Sequence, residues 1–235
     1  MLAMNGEMFG NTAELAQRLV AKTYQKVCGG LVVTGIVMLL MSTFMRSFVT
    51  SMGLGSSLLI LLVALGLMLA LGHSVNDEKT SASTTNTIYY LMTVLFGVSL
   101  SPILIYYRMD TIGLAFLGTA VMFGGLTFYA NRTTKDYLRF SSYLTWGLLA
   151  AIVLSVVAVL LRIPTLYIII DVVMLVIFAV FIVMDTQSVR KYAEYVDSET
   201  KLQKFSTIGA LNIYLDILNI FQILVQLLGM SNDNN

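Results

Sequence analysis

TIGALNIYLDILNIFQILVQLLG, from Thr207 to Gly229, holds no basic residue and a single acid, Asp216. A helix that crosses a bilayer needs about 20 predominantly apolar residues, and this stretch is long enough. At 100° per residue, Asn212, Asp216, Asn219 and Gln226 fall within an arc of about 80°, with Gln222 just beside it. The rest of the segment is mostly Ile, Leu, Val, Phe and Tyr, so it reads as one polar stripe on an apolar cylinder. Amides often join membrane helices by hydrogen bonds, and that is the plainer reading of Asn212, Asn219 and Gln226. Asp216 is different, because an acid at the centre of a bilayer costs at least about 2.5 kcal/mol on insertion scales and normally faces a cavity or a partner.

Six further apolar stretches precede this one, near 27–45, 54–72, 88–107, 112–130, 143–161 and 165–185. Hydrophobic residues make up 57% of the 235 residues and charged residues 11%, less than half the charge of a soluble domain, which is about 25%. Mean hydropathy is +0.83. Such a chain cannot clothe a water-facing surface, which excludes a soluble domain and a disordered one. The formal charge of +1 leaves no field for a polyanion, so no nucleic-acid partner is expected. A single cysteine, Cys28, excludes a disulfide framework and a thiolate metal cluster, and a single histidine, His73, excludes a multi-histidine zinc site. No resident cofactor is expected. The apolar runs do not alternate with period two, which disfavours a β-barrel. The fold class is an all-α membrane protein, a bundle of seven transmembrane helices forming a single integral membrane domain over 1–235.

Residues 1–26 read as a cytosolic N-terminal tail, and the first span as a retained helix, because it ends at Phe44-Met45-Arg46 and not in a small-residue cleavage site. The connections are short, the longest running from Gln187 to Phe205 with seven charges. Basic residues in short loops set orientation. Eleven fall on one side (Arg18, Lys22, Lys26, Lys79, three in 131–140 and four in 187–205), against Arg46, Arg108 and Arg162 on the other. This places the N-terminus in the cytosol and the C-terminus outside.

Three acids lie within the spans: Asp171, Asp185 and Asp216. Counting 1.5 Å per residue, Asp185 sits about 8 Å inside Arg190 and Asp216 about 14 Å inside Thr207. Antiparallel neighbours 8–10 Å apart could bring the two carboxyls together. Two carboxylates at close range cannot both ionise cheaply, so such a pair shares a proton. Asp171 lies about 21 Å from Asp185 along the helix; it lines the outer half of the same path or faces outer-leaflet water. Pro102 interrupts the third span, and Gly124-Gly125, Gly147 and Gly209 are expected at close helix contacts.

Asp185-Thr186-Gln187 and the segment from Gly209 to Phe221 resemble the transmembrane Bax inhibitor motif family. Gly97 to Pro102, Thr133 to Asp136 and Tyr24 to Leu31 resemble it too, in order along nearly the whole chain. The resemblance implies a bacterial-type member with seven helices and the last helix central. It also implies a di-aspartyl pH sensor, here Asp185 and Asp216, gating a calcium leak. Some members latch the pair with a basic residue at the inner end of the second helix; Lys79 and His73 are the candidates here.

The leading function is therefore a pH-sensitive calcium leak, not an enzyme, with calcium ions, protons and the lipid bilayer as its partners. Ca²⁺ takes six to eight oxygens; Asp185 and Asp216 with Asn212 or Asn219 supply too few for storage, which suits weak, transient binding. Calcium as the ion comes from the resemblance, whereas the acidic path comes from the residues. The alternative is a membrane-embedded regulator that binds a membrane protease or a cell-death or stress protein, with no transport of its own. An intramembrane aspartyl protease does not fit, because Ile213-Tyr214-Leu215 precedes Asp216 where that family has Gly-x-Gly. A retinal protein does not fit because the last span lacks a lysine. The expected location is a prokaryotic plasma (inner) membrane.

Overall fold

The computed structural model describes residues 12–161 and 163–232, and among them there are helices and turns but no strand. The order is α1 (Thr12–Phe44), α2 (Arg46–Thr50), α3 (Leu54–Asn76), α4 (Ala82–Leu100), α5 (Ile103–Tyr106), α6 (Met109–Arg132), α7 (Ser141–Leu161), α8 (Pro164–Lys191) and α9 (Glu199–Asn232), with 3₁₀ turns at Leu138–Phe140 and Tyr192–Tyr195. Among the described residues six helices are long and apolar enough to cross a membrane: Glu14–Phe44, Ala82–Tyr106, Met109–Arg132, Leu138–Ala158, Thr165–Tyr195 and Glu199–Met230. α3 spans 23 residues, of which Leu62–Val75 is counted as a shorter apolar helix. In the most apolar window of α9, 61% of the residues are buried, against 33% or less in the other five.

The helices outrun the apolar segments. α1 begins at Thr12, inside the stretch read as a tail, and α8 and α9 consume most of the long connection, leaving 192–198 between them. The reason lies in a second, amphipathic periodicity. Leu15, Leu19, Thr23 and Val27 recur at helical spacing and are buried, as are Val189, Ala193, Val196 and Leu202. Charges on the opposite faces made these turns look like loops. Pro102 does break its span: α4 stops at Leu100 and α5 starts at Ile103. Ser101 Oγ donates to the Val98 carbonyl at 2.7 Å, partly satisfying the interrupted turn.

The chain forms two compact units. One comprises the residues up to Tyr106 with Val189–Tyr214; the other comprises Tyr107–Ser188 with the residues from Leu215 onward. In the first, Tyr89 and Tyr214 are fully buried and meet edge to face at 6.0 Å. Tyr89 donates to the Lys26 carbonyl at 2.9 Å, and the Tyr214 and Thr34 hydroxyls bond at 2.6 Å. Gly97 lets α4 approach α1, since a Cβ there would stand 2.6 Å from Val37 Cβ. Gly209 does the same for α9 and Val189, with a Cβ at 2.7 Å from Val189 Cγ2. Gly124 and Gly125, expected at a contact, have nothing within 4 Å, and Gly147 has only ordinary contact with Ile177 at 3.8 Å. The second unit packs Phe178 and Ile182 of α8 against Ile220 and Ile223 of α9, with Phe123, Leu126 and Leu148 around them. A smaller cluster joins Ala151, Ala158 and Ile170.

Candidate functional site

Asp185 and Asp216 lie in the same unit. Ile182, one turn before Asp185 on α8, and Ile220, one turn after Asp216 on α9, belong to one buried cluster. That apolar contact sets the register of the two helices, and the register brings the two carboxyls close enough to interact. Asp216 is only 5% exposed, while Asp185 is partly buried. An ionised carboxylate accepts hydrogen bonds but has none to donate, so a carboxyl–carboxyl bond exists only while one of the two holds a proton. Asp216 Oδ2 is buried and has no partner among the described residues, and neither has the hydroxyl of Thr186, next to Asp185.

Gln187 of α8 completes the local frame. Its Nε2 donates to the Lys135 carbonyl at 2.9 Å, and its Oε1 accepts from the Tyr137 N–H at 3.0 Å. The side chain thus ties the α6–α7 connection to the end of α8, two residues beyond Asp185. Sequence reasoning singled out Gln187 only within a family-like triplet and gave it no role.

The chain matches the family model described as inhibitor of apoptosis-promoting Bax1 over residues 16–233. It belongs to that family. An inner membrane protein, YbhL, of Escherichia coli K12 is 31% identical over 173 residues, 73% of this chain and 74% of YbhL. An uncharacterized protein of Caulobacter vibrioides is 32% identical over 216 residues, 88% of this chain and 86% of its own. An uncharacterized membrane protein of Vibrio cholerae is 24% identical over 242 residues, 99% of this chain and all of the relative. With its long apolar helices, this Bax1-I family member is an integral protein of the inner membrane.

The other residues read from the sequence have these surroundings. Asn219 turns its Nδ2 back to the Leu215 carbonyl of its own helix at 2.8 Å, and Gln226 is exposed. Asn212 is partly buried and belongs to the other unit. Asp171 is partly buried on α8, and burial pulls it away from water without giving it a described hydrogen-bond partner. Lys79 and His73 are exposed; the backbone N–H of Lys79 donates to Asp77 Oδ1 at 3.1 Å. Among the described residues no three His, Cys, Asp or Glu side chains gather.

The buried bases of this family member are others. Lys26, 9% exposed, donates to Asn86 Oδ1 at 2.8 Å, to the Gln203 carbonyl at 2.8 Å and to Thr207 Oγ1 at 2.6 Å. Thr207 also donates to Asn86 Oδ1 at 2.6 Å. Lys204, 3% exposed, donates to the Asp77 carbonyl at 2.7 Å. The sequence had placed Lys26 in a tail and Lys204 in a loop. The available signal was spacing: Lys26 falls one residue from Val27 and three from Thr23, on the edge of the buried stripe of α1.

Proposed function

We propose that this Bax1-I family protein is a pH-sensitive calcium leak, gated by the proton that Asp185 and Asp216 share. The carrying observation is the carboxyl–carboxyl contact in a buried place, with one Asp216 oxygen left unpartnered. While the proton bridges the pair, α8 and α9 are tied by it and the site carries one negative charge. When it leaves, two carboxylates face each other at close range and repel, and the site becomes a hard-oxygen ligand for a divalent cation. Two carboxyls supply too few oxygens to retain Ca²⁺, so the ion is cargo and not a resident. The reading includes seven spans, with α3 as the second, an N-terminus in the cytosol and a C-terminus outside, supported by the eleven-to-three distribution of basic residues. No enzymatic step is assigned.

The test uses purified full-length protein in vesicles loaded with a calcium indicator. The wild type is expected to pass calcium at a rate set by pH. Asp185→Asn and Asp216→Asn should each remove most of the pH dependence, and the double variant should be no worse than either single, since residues acting as one unit are not additive. A full pH response at the wild-type midpoint in either single variant would contradict the reading.

A further inference from the structure

One face of α4, carrying Ser83, Asn86, Thr87, Tyr90, Leu91 and Val94, borders a shallow groove of about 330 Å³ that is open to the outside. It is graded along its length. Ser83, Asn86 and Thr87 form its polar end, next to the 77–81 turn, and Leu91 and Val94, both well exposed, form its apolar end. From Ser83 to Val94 the helix rises about 16 Å, roughly half of a hydrocarbon core of about 30 Å. The groove thus runs one leaflet deep, polar at the surface and apolar toward the middle, as a lipid does.

Its polar end is electropositive. Both donors that reach the Asn86 side chain, Lys26 Nζ and Thr207 Oγ1, bond to Oδ1. This fixes the orientation of the amide and leaves its N–H groups for the groove. Behind Asn86 stands the Lys26 ammonium, whose three bonds go to neutral oxygens. Lys22 and Arg18 follow one and two turns earlier on α1 and share a single acid, Glu199. With Asp77, Glu78 and Lys79 of the adjoining turn and Lys204, which bonds the Asp77 carbonyl, five bases stand against three acids, so this corner keeps net positive charge.

We propose that the groove seats one acyl chain of an anionic phospholipid, its headgroup phosphate accepting from the Asn86 amide within the field of Lys26. The chain lies along Tyr90, Leu91 and Val94. A zwitterionic lipid fits the apolar end equally well but gains less from the positive corner.

Native mass spectrometry of the full chain in detergent, offered equal phosphatidylglycerol and phosphatidylcholine, tests this without reference to ion flux, so it stands or falls apart from the calcium reading. The wild type should retain phosphatidylglycerol severalfold over phosphatidylcholine. Asn86→Asp keeps an oxygen for Lys26 and Thr207 but replaces the donor with a carboxylate oxygen, and should abolish the preference. Val94→Trp changes an exposed position and fills the apolar end, so it should lower retention of both lipids in a folded protein. Equal retention by the wild type would overturn the site. So would an unchanged preference in Asn86→Asp or unchanged retention in Val94→Trp. Displacement of phosphatidylglycerol by an equal concentration of free glycerol phosphate would overturn the assignment to a lipid.

Discussion

The two compact units bury opposite charges in opposite ways. In the unit containing α1 and α4, the Lys26 ammonium has each of its bonds answered by a neutral oxygen. In the unit containing α6 to α8, Asp216 meets another acid and keeps one oxygen unanswered. A satisfied buried network rigidifies, whereas a partly satisfied one is costly and can change state. The first cluster holds α1, α4 and the start of α9 together; in the proposed reading the second is the one that responds to protons and cations. α9 contributes to both, through Gln203 and Thr207 to one and Asp216 to the other.

If that contrast is right, removing the two buried charges has unequal effects on stability. Lys26→Met strips the donor from three acceptors, Thr207 Oγ1 buried and Asn86 Oδ1 and the Gln203 carbonyl partly buried, and hydrogen bonds to charged groups contribute about 1.5–3 kcal/mol each before the relief of desolvation. We expect a net loss of about 2–3 kcal/mol, read as a lowered midpoint of thermal unfolding in detergent. Asp216→Asn preserves shape, supplies a donor to Asp185 and removes a buried acid, so stability should stay within about 1 kcal/mol of wild type or rise. Equal losses in the two variants would erase the distinction.

Gln187→Leu sharpens the comparison on the acidic side. It removes two neutral hydrogen bonds, a loss of about 1–2 kcal/mol, and should speed amide exchange at Tyr137, whose N–H it currently binds. Unchanged exchange there would mean that the α6–α7 connection is held by other contacts.

The smallest effect is expected at the exposed turn below the basic cluster. The Thr80 hydroxyl and the Lys79 N–H, donating to Asp77, hold its carboxyl below the usual carboxylate range. A depressed folded-state value stabilises the fold above the ordinary carboxylate range, and the contribution is lost as pH falls through the folded value. Asp77→Ala should therefore lower the unfolding midpoint slightly at neutral pH, and the gap from wild type should close in acid. A gap that widens in acid would reverse the sign.

Much of this architecture was legible because the bilayer imposes a length and a composition on any helix that crosses it. Pro102 broke its span where its missing N–H required. The helix ends were harder, because residues such as Val189 and Leu202 extend α8 and α9 through charged sequence by an amphipathic pattern that resembles a loop. At the site, Asp185 and Asp216 stood out because an acid in a membrane segment is expensive. Lys26, Lys204 and Gln187 did not, since several of their partners are the backbone carbonyls of Gln203, Asp77 and Lys135, and a carbonyl leaves no mark in a sequence. Small residues misled at Gly124-Gly125, which have no described neighbour within 4 Å, and at Gly147, whose contact is ordinary, whereas Gly97 and Gly209 are filled against Val37 and Val189.

The central claim is that Asp185 and Asp216 hold one proton between them. Infrared difference spectroscopy of the protein across a pH titration reads the protonated carboxyl directly. The account predicts a carboxylic-acid band that disappears in a single step as pH rises, at the same midpoint as the change in calcium flux, and that is lost or displaced in both Asp185→Asn and Asp216→Asn. A band that survives unchanged in either variant, or a wild type with no such titration, would contradict it.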